Sequence, residues 1–196
     1  MTHYFTDNSG LESDPIRFQY YFDNEVFHFT GDRGVFSKDK IDYGSYVLIK
    51  NVYRREIGTC ILDLGCGYGP IGIILKRFHS QTKTVLVDVN PRAVELAEKN
   101  ALDNDAAVEA VVCDDITSLP DTFDSIICNP PIRAGKDLIF SLYSKAHLKL
   151  REGGDLYIVV QKKQGARSHI AYLQTFFTEV NVLDKDGGYF VIQAHK

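Results

Sequence analysis

The chain predicts an α/β fold: a mostly parallel sheet of seven strands with helices on both faces and an antiparallel strand near the C-terminus. Three observations carry this reading. From residue 59 onward, apolar runs alternate with stretches of helical period. Two of those runs end in turn motifs: the glycine-rich "DLGCGYGPIG" at 63–72, and "NPPIR" at 129–133, whose consecutive prolines neither a ladder nor a helix interior accommodates. The last segment, "EVNVLDKDGGYFVIQAH", reads as two strands joined at an Asp-Gly turn, which brings one strand back antiparallel.

Taken in order, residues 1–57 hold 12 of the 23 aromatic residues, too many for a disordered tail. They read as an N-terminal extension packed on a main domain at 58–196. "RFQYYFDNEVFHFT" (17–30) predicts a hairpin about Asp23-Asn24. "KIDYGSYVLIKNVYRRE" (40–56) predicts a helix capped by Asp42, with Tyr46, Ile49 and Tyr53 on one face. Strands follow at 59–63, 84–88, 108–113, 124–128 and 155–161, with helices near 70–79, 91–103, 135–150 and 168–177. In "VDVNPRAVELAEKN", Asn90 caps, Pro91 takes the first helical position, and Val94, Ala97 and Ala101 share a face.

Composition narrows the function classes. No apolar run approaches the roughly 20 residues that span a membrane, and "MTHYFTDNSG" has neither the basic start nor the apolar stretch of a signal peptide, so a cytoplasmic protein is expected. The four cysteines form no CxxC pair and the six histidines show no ligand spacing, so no metal is expected. Net charge is −4, yet residues 129–170 carry eight basic side chains against three acidic ones. That asymmetry predicts a basic face on an acidic body.

Ligands of parallel sheets bind at the carboxyl ends of the strands, where both motifs lie. A glycine turn there lets the backbone approach a ligand closely. Gly65, Gly67 and Gly69 miss the nicotinamide fingerprint, because Pro70 holds the slot of its third glycine and Asp63 stands two residues ahead of the first. A carboxylate beside a diphosphate is unfavourable; beside the ammonium and sulfonium of S-adenosylmethionine it is favourable. Asp63 is therefore expected at the amino-acid end of that cofactor, and Asp88 at its ribose hydroxyls. Asp115 is expected at the adenine amino group, with Asp114 the weaker candidate.

"NPPIR" supplies the chemistry. An exocyclic amine on a base, or an amide nitrogen, is a poor nucleophile because its lone pair is delocalised. The Asn129 side-chain oxygen and the Pro130 carbonyl could bind its two hydrogens and favour the pyramidal form. Catalysis is then orientation and electrostatics, with no strong base needed before transfer.

With these motifs in order, residues 59–196 resemble a class I S-adenosylmethionine-dependent methyltransferase of Rossmann-like fold. The whole chain is similar to single-domain members of the RsmC-like family, which includes small-subunit ribosomal RNA guanine-N2 methyltransferases. "GVFSKDKIDYGSYVLI", "DLGCGYGPIG", "DVNPRAVELAEKN", "NPPIRAGK" and "VVQKKQGA" carry the resemblance. It implies S-adenosylmethionine held by Asp63, Gly65, Cys66, Gly67, Asp88, Val89, Asp114, Asp115, Ile116 and Asn129. It implies a catalytic loop of Asn129, Pro130, Pro131 and Ile132, and ribosomal RNA or the small subunit as partner. Many such enzymes place an aromatic residue where Ile132 stands; Phe36 is the expected substitute as a base platform. Arg133, Lys136, Lys162 and Lys163 are expected to meet RNA phosphates around an extruded guanine.

Other readings stay open. One is a methyltransferase of this type acting on a protein glutamine amide or on adenine N6. Another is an RNA-binding assembly factor that keeps the fold without turnover. A nicotinamide-dependent oxidoreductase is disfavoured by Pro70 and Asp63.

Overall fold

A computed structural model of the protein describes residues 12–196; "MTHYFTDNSG" lies outside them. The strands are β1 (Ile16–Phe22), β2 (Glu25–Gly31), β3 (Cys60–Leu64), β4 (Lys83–Asp88), β5 (Glu109–Val112), β6 (Phe123–Cys128), β7 (Leu150–Gln161), β8 (Glu179–Asp186) and β9 (Tyr189–His195). The helices are α1 (Tyr43–Val52), α2 (Pro70–Phe78), α3 (Pro91–Asp103), α4 (Lys136–Lys149) and α5 (Ala166–Leu173).

β3 to β9 form one seven-stranded sheet in the order β5-β4-β3-β6-β7-β9-β8, and β1 and β2 form a separate hairpin. β5, β4, β3, β6 and β7 are mutually parallel; β9 runs antiparallel to both β7 and β8. From β3 the chain proceeds to β4 and β5 on one side, then returns to β6 and β7 on the other. The carboxyl ends of β3 and β6 therefore flank the switch point of the sheet. The glycine turn follows one of these strands and Asn-Pro-Pro follows the other.

Burial on both faces explains why the central strands read as unbroken apolar runs: every residue of β3 is buried. Alternation sends Ile61, Leu86, Ile127 and Val159 into a cluster with α1, α2, α3 and the hairpin. Leu62, Val85, Ile126 and Ile158 go to the opposite face, against α4 and α5. Phe27, Phe29, Leu48 and Ile49 from the N-terminal extension share the first cluster with Ile71, Leu86 and Ala97. The extension and the sheet domain are thus built around a common core.

Local chemistry explains the turns. Asp23 and Asn24 both take positive φ, 46° and 67°, as a two-residue turn between Phe22 and Glu25 requires. The last hairpin turns one residue later than expected, with Gly187 and Gly188 as its central pair. α1 stops at Val52, and its buried residues are Gly44, Ser45, Val47, Leu48, Ile49 and Val52. Tyr46 and Tyr53 are only half-buried at its margin, so the predicted face is rotated. β7 begins five residues before the predicted strand, and α5 is shorter than predicted.

Candidate active site

The four strand ends at β3, β4, β5 and β6, with the loop 32–42 above them, enclose a cavity of about 410 Å³. Its floor is the glycine turn. The Gly65 and Cys66 N–H groups each donate to the Val87 carbonyl at 2.9 Å, which ties the turn to the end of β4. Gly65 has φ +75°, and a Cβ there would meet no protein atom within 4 Å. The space beside it is open to the cavity. At Gly69, a Cβ would lie 2.8 Å from Ile73 Cδ1, so that glycine serves helix packing instead.

Asp88 lies on the cavity wall. Its Oδ2 accepts from the Gly67 N–H and its Oδ1 from the Asn90 N–H, both at 2.9 Å. A carboxylate offers about four acceptor sites, so the group keeps acceptor capacity, and burial raises its pKa. Asn90 also binds the roof: its Nδ2 donates to the Gly34 carbonyl at 3.0 Å. The Tyr68 hydroxyl does the same to the Lys40 carbonyl at 3.0 Å.

Asp63 is fully buried behind the turn rather than on the cavity wall. Its Oδ2 accepts from the Gly72 N–H at 2.8 Å, while Oδ1 has no partner among the described residues. Burial, reinforced by the nearby Asp88 charge, pushes its pKa up to about 7. A buried carboxylate with an unused acceptor atom beneath the turn suits a cationic ligand.

Of the two carboxylates after β5, the cavity is lined by Asp114, not Asp115. Asp115 caps the short 3₁₀ turn Ile116–Ser118, accepting from Thr117 N at 3.1 Å, and pairs with Lys145 at 3.3 Å. The Thr117 N–H and hydroxyl, with Lys145, hold its pKa low. The sequence expectation put Asp115 ahead of Asp114; the structure engages Asp115 as a local cap, for which the signal is Asp-x-Thr, and puts Asp114 on the cavity wall. Cys66, Val89 and Ile116 do line the cavity, and burial raises the Cys66 thiol well above its ordinary range.

Asn129, Pro130 and Pro131 form the far wall. The Asn129 Nδ2 donates to Ser45 Oγ at 3.0 Å and lies 3.3 Å and 3.4 Å from the two oxygens of Asp42. Because a carboxylate only accepts, the amide nitrogen has to face Asp42, which leaves Oδ1 without a hydrogen bond among the described residues. The Pro130 carbonyl stays out of the ladder but is not idle: it accepts from the Ile132 N–H at 2.8 Å across Pro131, leaving one lone pair. Sequence reasoning saw Asp42 only as a helix cap and missed Ser45.

Ile132 departs from its expected place. It does not line the cavity and packs against the core under α4, while Ala134 and Leu138 line the wall. Phe36 does line the cavity and is 40% exposed. Arg133, Lys136, Lys162 and Lys163 are exposed, outside the cavity. Lys136 lies 5.0 Å over the Phe140 ring. Among the described residues no helix is long and apolar enough to cross a membrane, and no group of three His, Cys, Asp or Glu side chains could hold a metal.

The cavity wall carries Asp42, Asp88 and Asp114 against one cation, Lys145, which is already paired. It fits S-adenosylmethionine and would repel a diphosphate. A seven-stranded sheet with this switch-point cavity defines the class I methyltransferases.

The family model "Methyltransferase small domain" matches residues 26–193, and the chain belongs to that family. The uncharacterized protein YbxB of Bacillus subtilis (strain 168) is 42% identical over 197 residues, covering 99% of this chain and 98% of its own length. Ribosomal RNA small subunit methyltransferase C of Haemophilus influenzae (strain PittGG) is 31% identical over 165 residues, covering 81% of this chain and 48% of its own. Among solved structures, the T. thermophilus 16S rRNA N2 methyltransferase RsmC, in complex with AdoMet and guanosine, is similar with a TM-score of 0.84 at 26% identity. That match covers 95% of this chain and 52% of the other, so the chain spans about half the length of these two rRNA methyltransferases.

Proposed function

We propose that the protein transfers a methyl group from S-adenosylmethionine to the exocyclic N2 amine of a guanine in ribosomal RNA of the small subunit, in the cytoplasm. The observation that carries the reading is the acceptor pair at the end of β6. The Asn129 amide is held by its nitrogen, so its oxygen is unengaged, and the Pro130 carbonyl keeps one lone pair. Two acceptors suit the two hydrogens of a primary amine. The bound guanosine and AdoMet of the T. thermophilus relative favour guanine over adenine or a glutamine amide.

Within this reading, Asp88 takes the ribose hydroxyls, Asp114 the adenine amine, and Gly65 gives the amino-acid portion its backbone approach. Cys66, Gly67, Val89 and Ile116 complete the wall, and Asp63 supplies negative potential from beneath. The cofactor provides an electrophilic methyl on a sulfonium. Asn129 Oδ1 and Pro130 O accept the two N–H bonds, so the nitrogen lone pair turns toward the cofactor side; the proton becomes acidic once nitrogen is alkylated and leaves to solvent. Phe36 stacks on the base. Arg133, Lys136, Lys162 and Lys163 meet the flanking phosphates.

The test is labelled S-adenosylmethionine, incubated separately with small ribosomal subunits and with protein extract from cells lacking the protein. Label in N2-methylguanosine supports the reading; label in N6-methyladenosine or in protein overturns it, and cofactor binding without label anywhere favours an assembly role.

A further inference from the structure

Asp42 and Ser45 sit on the first turn of α1, 87 and 84 residues from Asn129 in the chain. Asp42 Oδ1 is the helix cap, accepting from Gly44 N at 2.9 Å and Ser45 N at 3.3 Å. The same carboxylate also faces the Asn129 amide nitrogen, with Ser45 Oγ closing on it at 3.0 Å. Turning that amide over by 180° would bring its carbonyl oxygen against a carboxylate, an unfavourable contact in a partly buried site. A hydroxyl both donates and accepts, so Ser45 alone would tolerate either orientation. The carboxylate is the group that discriminates between them.

We propose that Asp42 and Ser45 are positioning residues for methyl transfer. They lock the Asn129 side chain with Oδ1 facing the substrate amine, so the N-terminal extension sets the polarity of the catalytic loop. The inference deepens the amine-methylation reading and rests on it. It also gives the cap of α1 a second role, since a capping residue alone has no need of Asn129.

The Asp42→Asn variant separates the two roles. Asparagine caps a helix about as well as aspartate, so the fold keeps its oxygen on Gly44 and Ser45. The remaining atom becomes an NH₂, which no longer favours the Asn129 nitrogen. Methyl transfer to small subunits and ¹H–¹⁵N spectra of the Asn129 side-chain amide are compared in the wild type, Asp42→Asn, Ser45→Ala and Ser45→Thr. In the wild type, the Asn129 Nδ2 protons give a resolved pair with slowed exchange.

In Asp42→Asn, that pair shifts and exchanges faster. The turnover number falls about tenfold or more, a larger factor than any rise in KM for S-adenosylmethionine, and Tm stays within about 2 °C. Ser45→Ala lowers turnover by about threefold to tenfold, and Ser45→Thr restores it. Full turnover in Asp42→Asn, or Asn129 amide signals identical to the wild type, overturns the proposal. If the wild type methylates no RNA, the substrate reading fails, while the amide spectra still decide whether Asp42 and Ser45 hold the lock.

Discussion

The side-chain amide of Asn100 closes both main-chain hydrogen bonds of Thr30: Oδ1 accepts from Thr30 N at 2.7 Å and Nδ2 donates to its carbonyl at 2.9 Å. Asn104, four residues on at the C-cap of α3, does the same for His28, at 2.8 Å and 2.7 Å. Four residues of helix rise about 6 Å and two residues of strand about 6.7 Å, so the two amides match the β2 repeat and act as a substitute strand. Asn100 Nδ2 also donates to the Tyr68 carbonyl at 2.8 Å, beside the glycine turn. Asn100→Ala leaves three buried main-chain groups unpaired. Each costs on the order of 1–3 kcal/mol, so Tm is expected to fall by roughly 10 °C. Calorimetry showing a change under about 2 °C would contradict the substitute-strand role.

Asp63 gives the apo protein a pH signature. Its folded pKa, about 7, is raised above the ordinary carboxylate value of 3.8. Between those limits the folded state binds the proton more tightly than the unfolded chain, so stability falls as pH rises through the window, by on the order of 4 kcal/mol in full. The carboxylates with lowered pKa values, such as Asp32 and Asp124, act at lower pH. Asp63→Asn removes the penalty. Its Tm advantage over the wild type is expected to widen from pH 5 to pH 8, with weaker binding of S-adenosylmethionine. A constant difference across that range would rule the assignment out.

Gly65 and Gly69 separate binding from folding. Gly65→Ala places a methyl in the cavity at the cost of a left-handed residue, about 1–2 kcal/mol. Gly69→Ala adds a clash with Ile73 at 2.8 Å. We expect Gly65→Ala to remain folded and lose S-adenosylmethionine binding by titration calorimetry, and Gly69→Ala to lose more stability. Normal binding by Gly65→Ala would mean the cofactor does not use this turn.

The basic face has a salt test. Replacing Lys162 and Lys163 by Ala is expected to weaken RNA binding and to reduce the slope of log affinity against log salt by about 0.7 for each phosphate no longer neutralised. A slope equal to that of the unmodified protein removes these lysines from the interface.

The fold was largely legible because its signals are local. Apolar runs buried on two faces, Pro91 after Asn90, and Asn-Pro-Pro after a strand each follow from backbone rules. What sequence could not supply depends on where side chains point once elements pack. Asp114 and Asp115 are adjacent, and the cap at Thr117 with the Lys145 pair holds one of them away from the cavity wall. Ile132 turns into the core because Pro131 sits in a tight turn that ends at the Ile132 N–H. The pairing of Asp42 and Ser45 with Asn129 spans more than eighty residues and has no periodic signature. Asn100 and Asn104, four apart on a buried face, were a readable signal: two amides in an apolar stripe require main-chain partners.

The proposed role of Asn129, presenting an acceptor to a guanine amine beside S-adenosylmethionine, has one most direct test. Modified nucleosides are mapped in small-subunit RNA from cells lacking the protein, complemented with the wild type or with Asn129→Ala. We predict an N2-methylguanosine that disappears with the protein, returns with the wild type, and does not return with Asn129→Ala, although the purified variant keeps its fold. Restoration of the methyl mark by Asn129→Ala would contradict that role.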